Sequence, residues 1–114
     1  MTVNQFRKLA LGLPEVVAAA HMGHPDFRVG GKVFATLAWP AVEWAMVRLT
    51  PEQQGAFVRA HPQIFRPVKG GWGERGATNV LLAAARVGIV RLALWTAWRN
   101  VAPKRLAAEH DDDE

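Results

Sequence analysis

The sequence predicts an α+β protein, a two-layer sandwich in which helices pack on an antiparallel sheet, in the approximate order αββββαββα. Three observations predict it. Apolar residues recur at helical spacing near both ends of the chain. Apolar runs of strand length lie between them, and two of those runs meet at Gly30-Gly31, which reads as a tight hairpin turn. Hairpins mixed with separated helices argue for α+β over a parallel α/β sheet. At 114 residues, half of them hydrophobic, the chain has room for one modest core.

Taken in chain order, Val3, Phe6, Leu9, Ala10 and Leu13 share a helical face, with Thr2 placed to cap it and Gly12 and Pro14 to stop it. "EVVAAAHM" (15–22) is a weak strand. "DFRV", Gly30-Gly31 and "KVFATLAW" form the hairpin, because paired glycines accept the positive φ angles of primed turns. "VEWAMVRL" (42–49) is largely apolar on both faces and reads as an interior strand. "TPEQQGAFVRAHP" (50–62) is a helix with a capping box: Thr50 as N-cap, Pro51 at the first position and Gln53 three residues on.

"QIFRPVKGGWGERGA" (63–77), rich in Gly and Pro, reads as irregular strand and loop, and "TNVLLAAAR" (78–86) returns to strand. "GIVRLALWTAWRNVA" (88–102) is the strongest helix, with Leu94, Trp95, Trp98, Val101 and Ala102 on one face and Pro103 as its stop. Trp95 and Trp98 are therefore expected in the core. Trp39 and Trp44, flanking Pro40, are expected half-buried, and Trp72 exposed.

There is no cysteine, which removes disulfides, thiolate metal sites and cysteine nucleophiles and suits a reducing compartment. The N-terminus lacks the continuous apolar stretch of a secretory signal. The greasiest region (80–98) holds Arg86 and Arg91, each costing roughly 2.5–3.5 kcal/mol at a bilayer centre. The expectation is a soluble, cytoplasmic protein with no membrane partner.

Charge is distributed unevenly. Lys and Arg number 14 against ten Asp and Glu, and Glu109, Asp111, Asp112, Asp113 and Glu114 are five of those ten acids. Residues 1–108 thus carry 14 basic against five acidic side chains, a net of +9. Such a body attracts polyanions. Residues 1–108 read as a single domain and 109–114 as an acidic disordered tail. Tethered to a basic body, that tail could compete weakly with a polyanion, although a charged terminus is inert by default.

Five short motifs span nearly the whole body: "LPEV" (13–16), "GHPDFRVGGKVFA" (23–35), "RLTPEQQ" (48–54), "GWGERGATNVLL" (71–82) and "AWRNVAPKRL" (97–106). In this order and spacing the sequence resembles the MmcQ/YjbR-like family. The resemblance implies a compact frataxin-like fold with a double-wing arrangement proposed to bind DNA. "AARVG" (84–88) departs from it by lacking an acidic cap for the last helix, and "HDDDE" lies outside the family pattern.

The candidate nucleic-acid-binding residues are Arg28, Lys32, Arg48, Arg66, Lys69, Trp72, Arg75, Lys104 and Arg105. Arg28 and Lys32 flank the hairpin tip, and Lys69, Trp72 and Arg75 share a Gly-rich loop. Arginine offers a planar fork for phosphate, and Trp72 a ring on which a base can stack. Any one of these charges is by default a solvated surface group; the set as a whole points to a polyanion. No helix-turn-helix or zinc-finger pattern is present, so the expected partner is DNA, held mainly by its phosphates with limited sequence specificity.

Other chemistries find little support. His21, His24 and His61 lack the spacing and companions of a metal site, and the glycine runs are not phosphate loops, so neither metal nor cofactor is expected. There is no GxSxG, and Glu15, Asp26, Glu43, Glu52 and Glu74 are scattered, so no catalytic residue is assigned. Two alternatives stay open: a small-ligand pocket or cryptic enzyme around His24, Trp72 and Arg75, and a protein-interaction module. The oligomeric state is not legible.

Overall fold

The computed structural model describes residues 1–111. Helix α1 (Val3–Leu11) leads into β1 (Val17–His21), β2 (His24–Val29), β3 (Lys32–Leu37) and β4 (Trp44–Arg48). Helix α2 (Pro51–Ala60), β5 (Phe65–Pro67), the single helical turn α3 (Gly71–Glu74) and β6 (Ala77–Leu81) follow. A 3₁₀ turn (Leu82–Ala84), α4 (Val87–Val101) and α5 (Lys104–Glu109) complete the chain. The six strands form one antiparallel sheet in the order β1-β2-β3-β4-β6-β5. The expected α+β class is therefore found, and β4 lies inside the sheet as its apolar faces indicate.

Local chemistry accounts for most elements. Both helices that begin with Thr have complete capping boxes: Thr2 Oγ1 accepts from the Gln5 N–H and Thr50 Oγ1 from the Gln53 N–H, while each glutamine side chain accepts from the threonine N–H. The Gly30-Gly31 turn has φ of 59° and 79°, the doubly positive geometry of a type I′ hairpin. One bulge interrupts the β2–β3 pairing, where Phe27 faces Ala35 but Arg28 faces Val33. Phe34 is the extra residue. The bulge lets Phe34 and Ala35 both turn inward while Val33 faces the other side of the sheet.

The core lies on one face only. Helix α4 packs on β3 and β4, α1 packs on α4, and α2 reaches β5 and β6 with Phe57 edge-on to Phe65 at 5.1 Å. Val90, Ala93, Leu94, Ala97 and Trp98 of α4 are buried against Phe27, Leu37, Ala45, Val47 and Val80 of the strands. Trp98 is fully buried, and its indole N–H donates to the Pro14 carbonyl at 3.0 Å, which fixes the "LPEV" segment to α4. Trp95 is buried beside it, as its spacing indicates.

Strand β1 forms as expected and is fully paired with β2, the pairing supplying what its weak strand propensity lacks. Other expectations are corrected. The strand expected over 78–86 ends at Leu81, where the chain turns into the 3₁₀ segment and Met1's ammonium donates to the Leu82 carbonyl. The 63–77 loop contains α3. Trp39 is about half-buried, as expected, with 53% of it exposed, and it follows Ala38, whose φ is 59°.

The chain also continues past "APKRL" as α5, whose Leu106 is buried. Glu109 belongs to that helix and pairs with Arg105, and His110 packs on Trp95 and Trp98. The expected tail therefore overlaps the folded body at its first two residues, and residues 112–114 of it lie outside the described residues. Helix α4 starts at Arg86 without a side-chain cap, as "AARVG" indicates. Among the described residues no helix is long and apolar enough to cross a membrane.

The α2 cap sits at the junction of α2 with β4 and can be tested directly. Thr50→Ala removes the oxygen that serves the Gln53 N–H and is expected to lower the unfolding free energy by about 1 kcal/mol. A urea titration should show a lower midpoint with an unchanged slope.

Candidate functional site

Because side chains alternate along each strand, covering one face of the sheet with helices leaves the other to carry a second set of residues. The strand registers align Ala19, Asp26, Thr36, Met46, Asn79 and Arg66 in a single row across that open face. Trp44, Arg48 and Arg28 flank this row on the same face. Residues of the open face, with Met22 and Trp39 on one rim and Val68 and Trp72 on the other, enclose a groove of about 700 Å³.

Two aromatic–arginine clusters stand on this face. Trp72 on α3 is 59% exposed, and the guanidinium carbons of Arg48 and Arg75 lie 5.6 and 5.7 Å from its ring centre. Arg66 lies 5.4 Å over the ring of Trp44. These are cation–π distances, worth about 0.5–1 kcal/mol each at exposed positions. His24 begins β2, with its ring edge-on to Trp39 at 5.0 Å. Its Nδ1 lies 3.1 Å from the Ala38 carbonyl. A carbonyl only accepts, so Nδ1 carries the proton.

Asp26 is the one buried acid among the described residues, and Arg28 grips it with both forks: Nε to Oδ1 at 2.9 Å and Nη2 to Oδ2 at 3.0 Å. The hydrogen bonds to Asp26, and then its charge, hold the Arg28 guanidinium above its ordinary pKa. Nη1 takes no part in this pair, so the cation is oriented as well as balanced. On the same row, Thr36 Oγ1 and Asn79 Oδ1 are shut from solvent without a hydrogen-bond partner.

Trp72 owes its position to two backbone approaches that admit no side chain. A Cβ on Gly73 would lie 1.6 Å from the Val68 carbonyl oxygen. At Gly76, where φ is 111°, a Cβ would lie 2.0 Å from the Leu49 carbonyl oxygen. Gln54 then ties α2 to this corner by donating from Nε2 to the Gly73 and Ala77 carbonyls at 3.0 and 2.9 Å. Gly73 and Gly76 of "KGGWGERG" serve these close contacts.

The nine candidate residues separate. Arg28, Arg48, Arg66, Trp72 and Arg75 come together on or beside the open face, although Arg28 is engaged by Asp26. Lys32 and Lys104 instead line a second cleft with Gly30, Asn100 and Pro103 that shares no residue with the groove. Arg105 pairs with Glu109 on the surface, and Lys69 is exposed just before α3. Of the alternative pocket residues, His24 and Trp72 line the groove and Arg75 stands behind Trp72. Sequence reasoning misses Asp26 and Trp39. The i, i+2 spacing of Asp26 and Arg28 on one strand is the available clue. Among the described residues no three His, Asp or Glu side chains gather as a metal site.

Comparison with known proteins places this architecture. The YjbR family model matches residues 11–100. The chain belongs to the YjbR family. Its fold is similar to that in the crystal structure of Deinococcus radiodurans protein DR2400, which carries a DUF419 domain, with a TM-score of 0.74 at 18% identity over 95% of this chain and 86% of that one. No curated protein matches the sequence. In this YjbR-family chain the "RLTPEQQ" and "GWGERGATNVLL" motifs meet at the corner where Gln54 holds α3 and Trp72 stands over the groove.

The glycine contacts make a paired prediction. Gly73→Ala forces a methyl into the Val68 carbonyl and is expected to cost roughly 2–3 kcal/mol of stability. Gly71→Ala meets only the far end of the Arg75 side chain, at 3.5 Å, and should stay within about 0.5 kcal/mol of the parent in the same denaturation assay.

Proposed function

We propose that this protein binds DNA on the open face of its sheet, chiefly through phosphate contacts and with limited sequence specificity. The observation that carries the reading is the grouping of Arg48, Arg66 and Arg75 around Trp72 and Trp44 on one face. Planar guanidinium groups pair with phosphate in fork geometry, and exposed aromatic rings between them suit bases. The net charge of +9 over residues 1–108 adds long-range attraction, in which Lys32, Lys69, Lys104 and Arg105 share without lining the groove. In this reading Asp26 restrains Arg28 and limits what that side chain gives to a phosphate.

The test is a fluorescence-anisotropy titration of labelled DNA across a salt series. The logarithm of the affinity should fall linearly with the logarithm of salt concentration. Arg48→Gln with Arg75→Gln should weaken binding about tenfold at low salt and flatten the slope by about 0.9 for each duplex phosphate no longer neutralised. Lys32→Gln with Lys104→Gln removes the same charge from the other cleft and should have a smaller effect. Asp26→Asn should steepen the slope by the equivalent of roughly one phosphate as Arg28 is released. Absence of binding at tens of micromolar protein in low salt would reject the reading.

A further inference from the structure

Two features of the groove are left without a role by phosphate binding alone. The first is the ring of Trp72, exposed at the rim and covered only by two guanidinium groups. The second is the unpartnered buried Oγ1 of Thr36 in the groove lining, with a second such oxygen, Asn79 Oδ1, outside that lining on the far side of Met46 in the same row. Buried polar atoms without partners are uncommon and costly, and here only Met46 separates two of them in one row. Between them lies Met46, a flexible unbranched side chain that can yield to a ligand.

We propose that the groove takes one unpaired base of a DNA strand, its ring on Trp72 and its polar edge toward Thr36 and Asn79. This rests on the DNA reading above and names the form of DNA bound. The stacking works by exchange. A nucleotide brings a phosphate, to which Arg48 and Arg75 turn, and a base, which replaces them on the Trp72 ring. Both partners gain: a charge-assisted fork replaces a weak cation–π contact, and a flat stacked base replaces a loosely held cation.

At the floor, a base edge carries donors and acceptors side by side. The Thr36 hydroxyl can donate or accept, and the Asn79 side-chain amide, next in the row past Met46, offers both. Duplex DNA supplies neither interaction, because its ring faces are stacked and its pairing edges are occupied; an unpaired strand presents both. The groove, about 700 Å³ between its rims, has room for a nucleotide unit.

The full chain is titrated with an oligo-deoxythymidylate of about fifteen nucleotides and with a duplex of the same length, read by anisotropy and by tryptophan quenching. The single strand is expected to bind at least tenfold more tightly. Trp72→Ala should weaken single-strand binding about tenfold and leave duplex binding nearly unchanged, with Trp72→Phe restoring most of the affinity. Thr36→Val, which keeps the shape and removes the hydroxyl, should weaken single-strand binding a few-fold without loss of stability. Duplex binding as tight as single-strand binding, or single-strand binding indifferent to Trp72→Ala, overturns this inference while the DNA reading stands. If neither form binds, both are overturned.

Discussion

Helix α4 buries Val90, Ala93, Leu94, Ala97 and Trp98 against the sheet, and strand alternation makes that burial decisive for the opposite side. Outside the bulge at Phe34, every inward residue of β3, β4 and β6 commits its neighbour to the open face. Ala45 and Val47 go into the core, so Trp44, Met46 and Arg48 face out; Val80 goes in, so Asn79 faces out. The groove is the complement of the core, and a shift of one residue in any strand would empty both.

This dependence explains why hydrophobic and polar features of the chain are so closely interleaved. The bulge at Phe34 adds one more aromatic ring to the core and at the same time turns Val33 into the groove. The Trp98–Pro14 hydrogen bond is equally two-sided. It holds the segment before β1 against α4 and so fixes where the outermost strand begins. Gln54 does the same at the other end of the sheet, where α2, a helix on the core side, holds the corner that carries Trp72.

How much of this is legible in the sequence follows from how local each interaction is. The capping boxes of Thr2 and Thr50 and the Gly30-Gly31 turn involve residues three or fewer apart, and the structure agrees with them. Helix α3 is hidden because Gly73 within it and Gly76 just after it, which suggest a loop, are there for contacts with Val68 and Leu49 that only the tertiary structure supplies. The end of β6 is equally hidden, because Leu82, Ala83, Ala84 and Ala85 carry no periodicity to show where pairing stops. The basic residues can be counted from sequence but not sorted. That Arg48 and Arg75 share one ring while Lys32 and Lys104 share another cleft depends on how the sheet and α4 are stacked. The positive φ of Ala38, beside Trp39, is likewise announced by no local pattern.

The two hairpin tips differ in a way that bears on handling the molecule. At Gly30 a Cβ would come within 2.8 Å of the Pro103 ring, so the β2–β3 tip is clamped to the junction of α4 and α5. At Gly23 nothing lies within 4 Å, and neighbouring Met22 is 86% exposed on the rim of the groove. The first tip has no room for a side chain at Gly30, whereas the second has open space around Gly23. Because the chain contains no cysteine, a thiol introduced at Met22 would be unique in the molecule. A single dye or spin label attached there would sit at the mouth of the groove and report directly on what enters it.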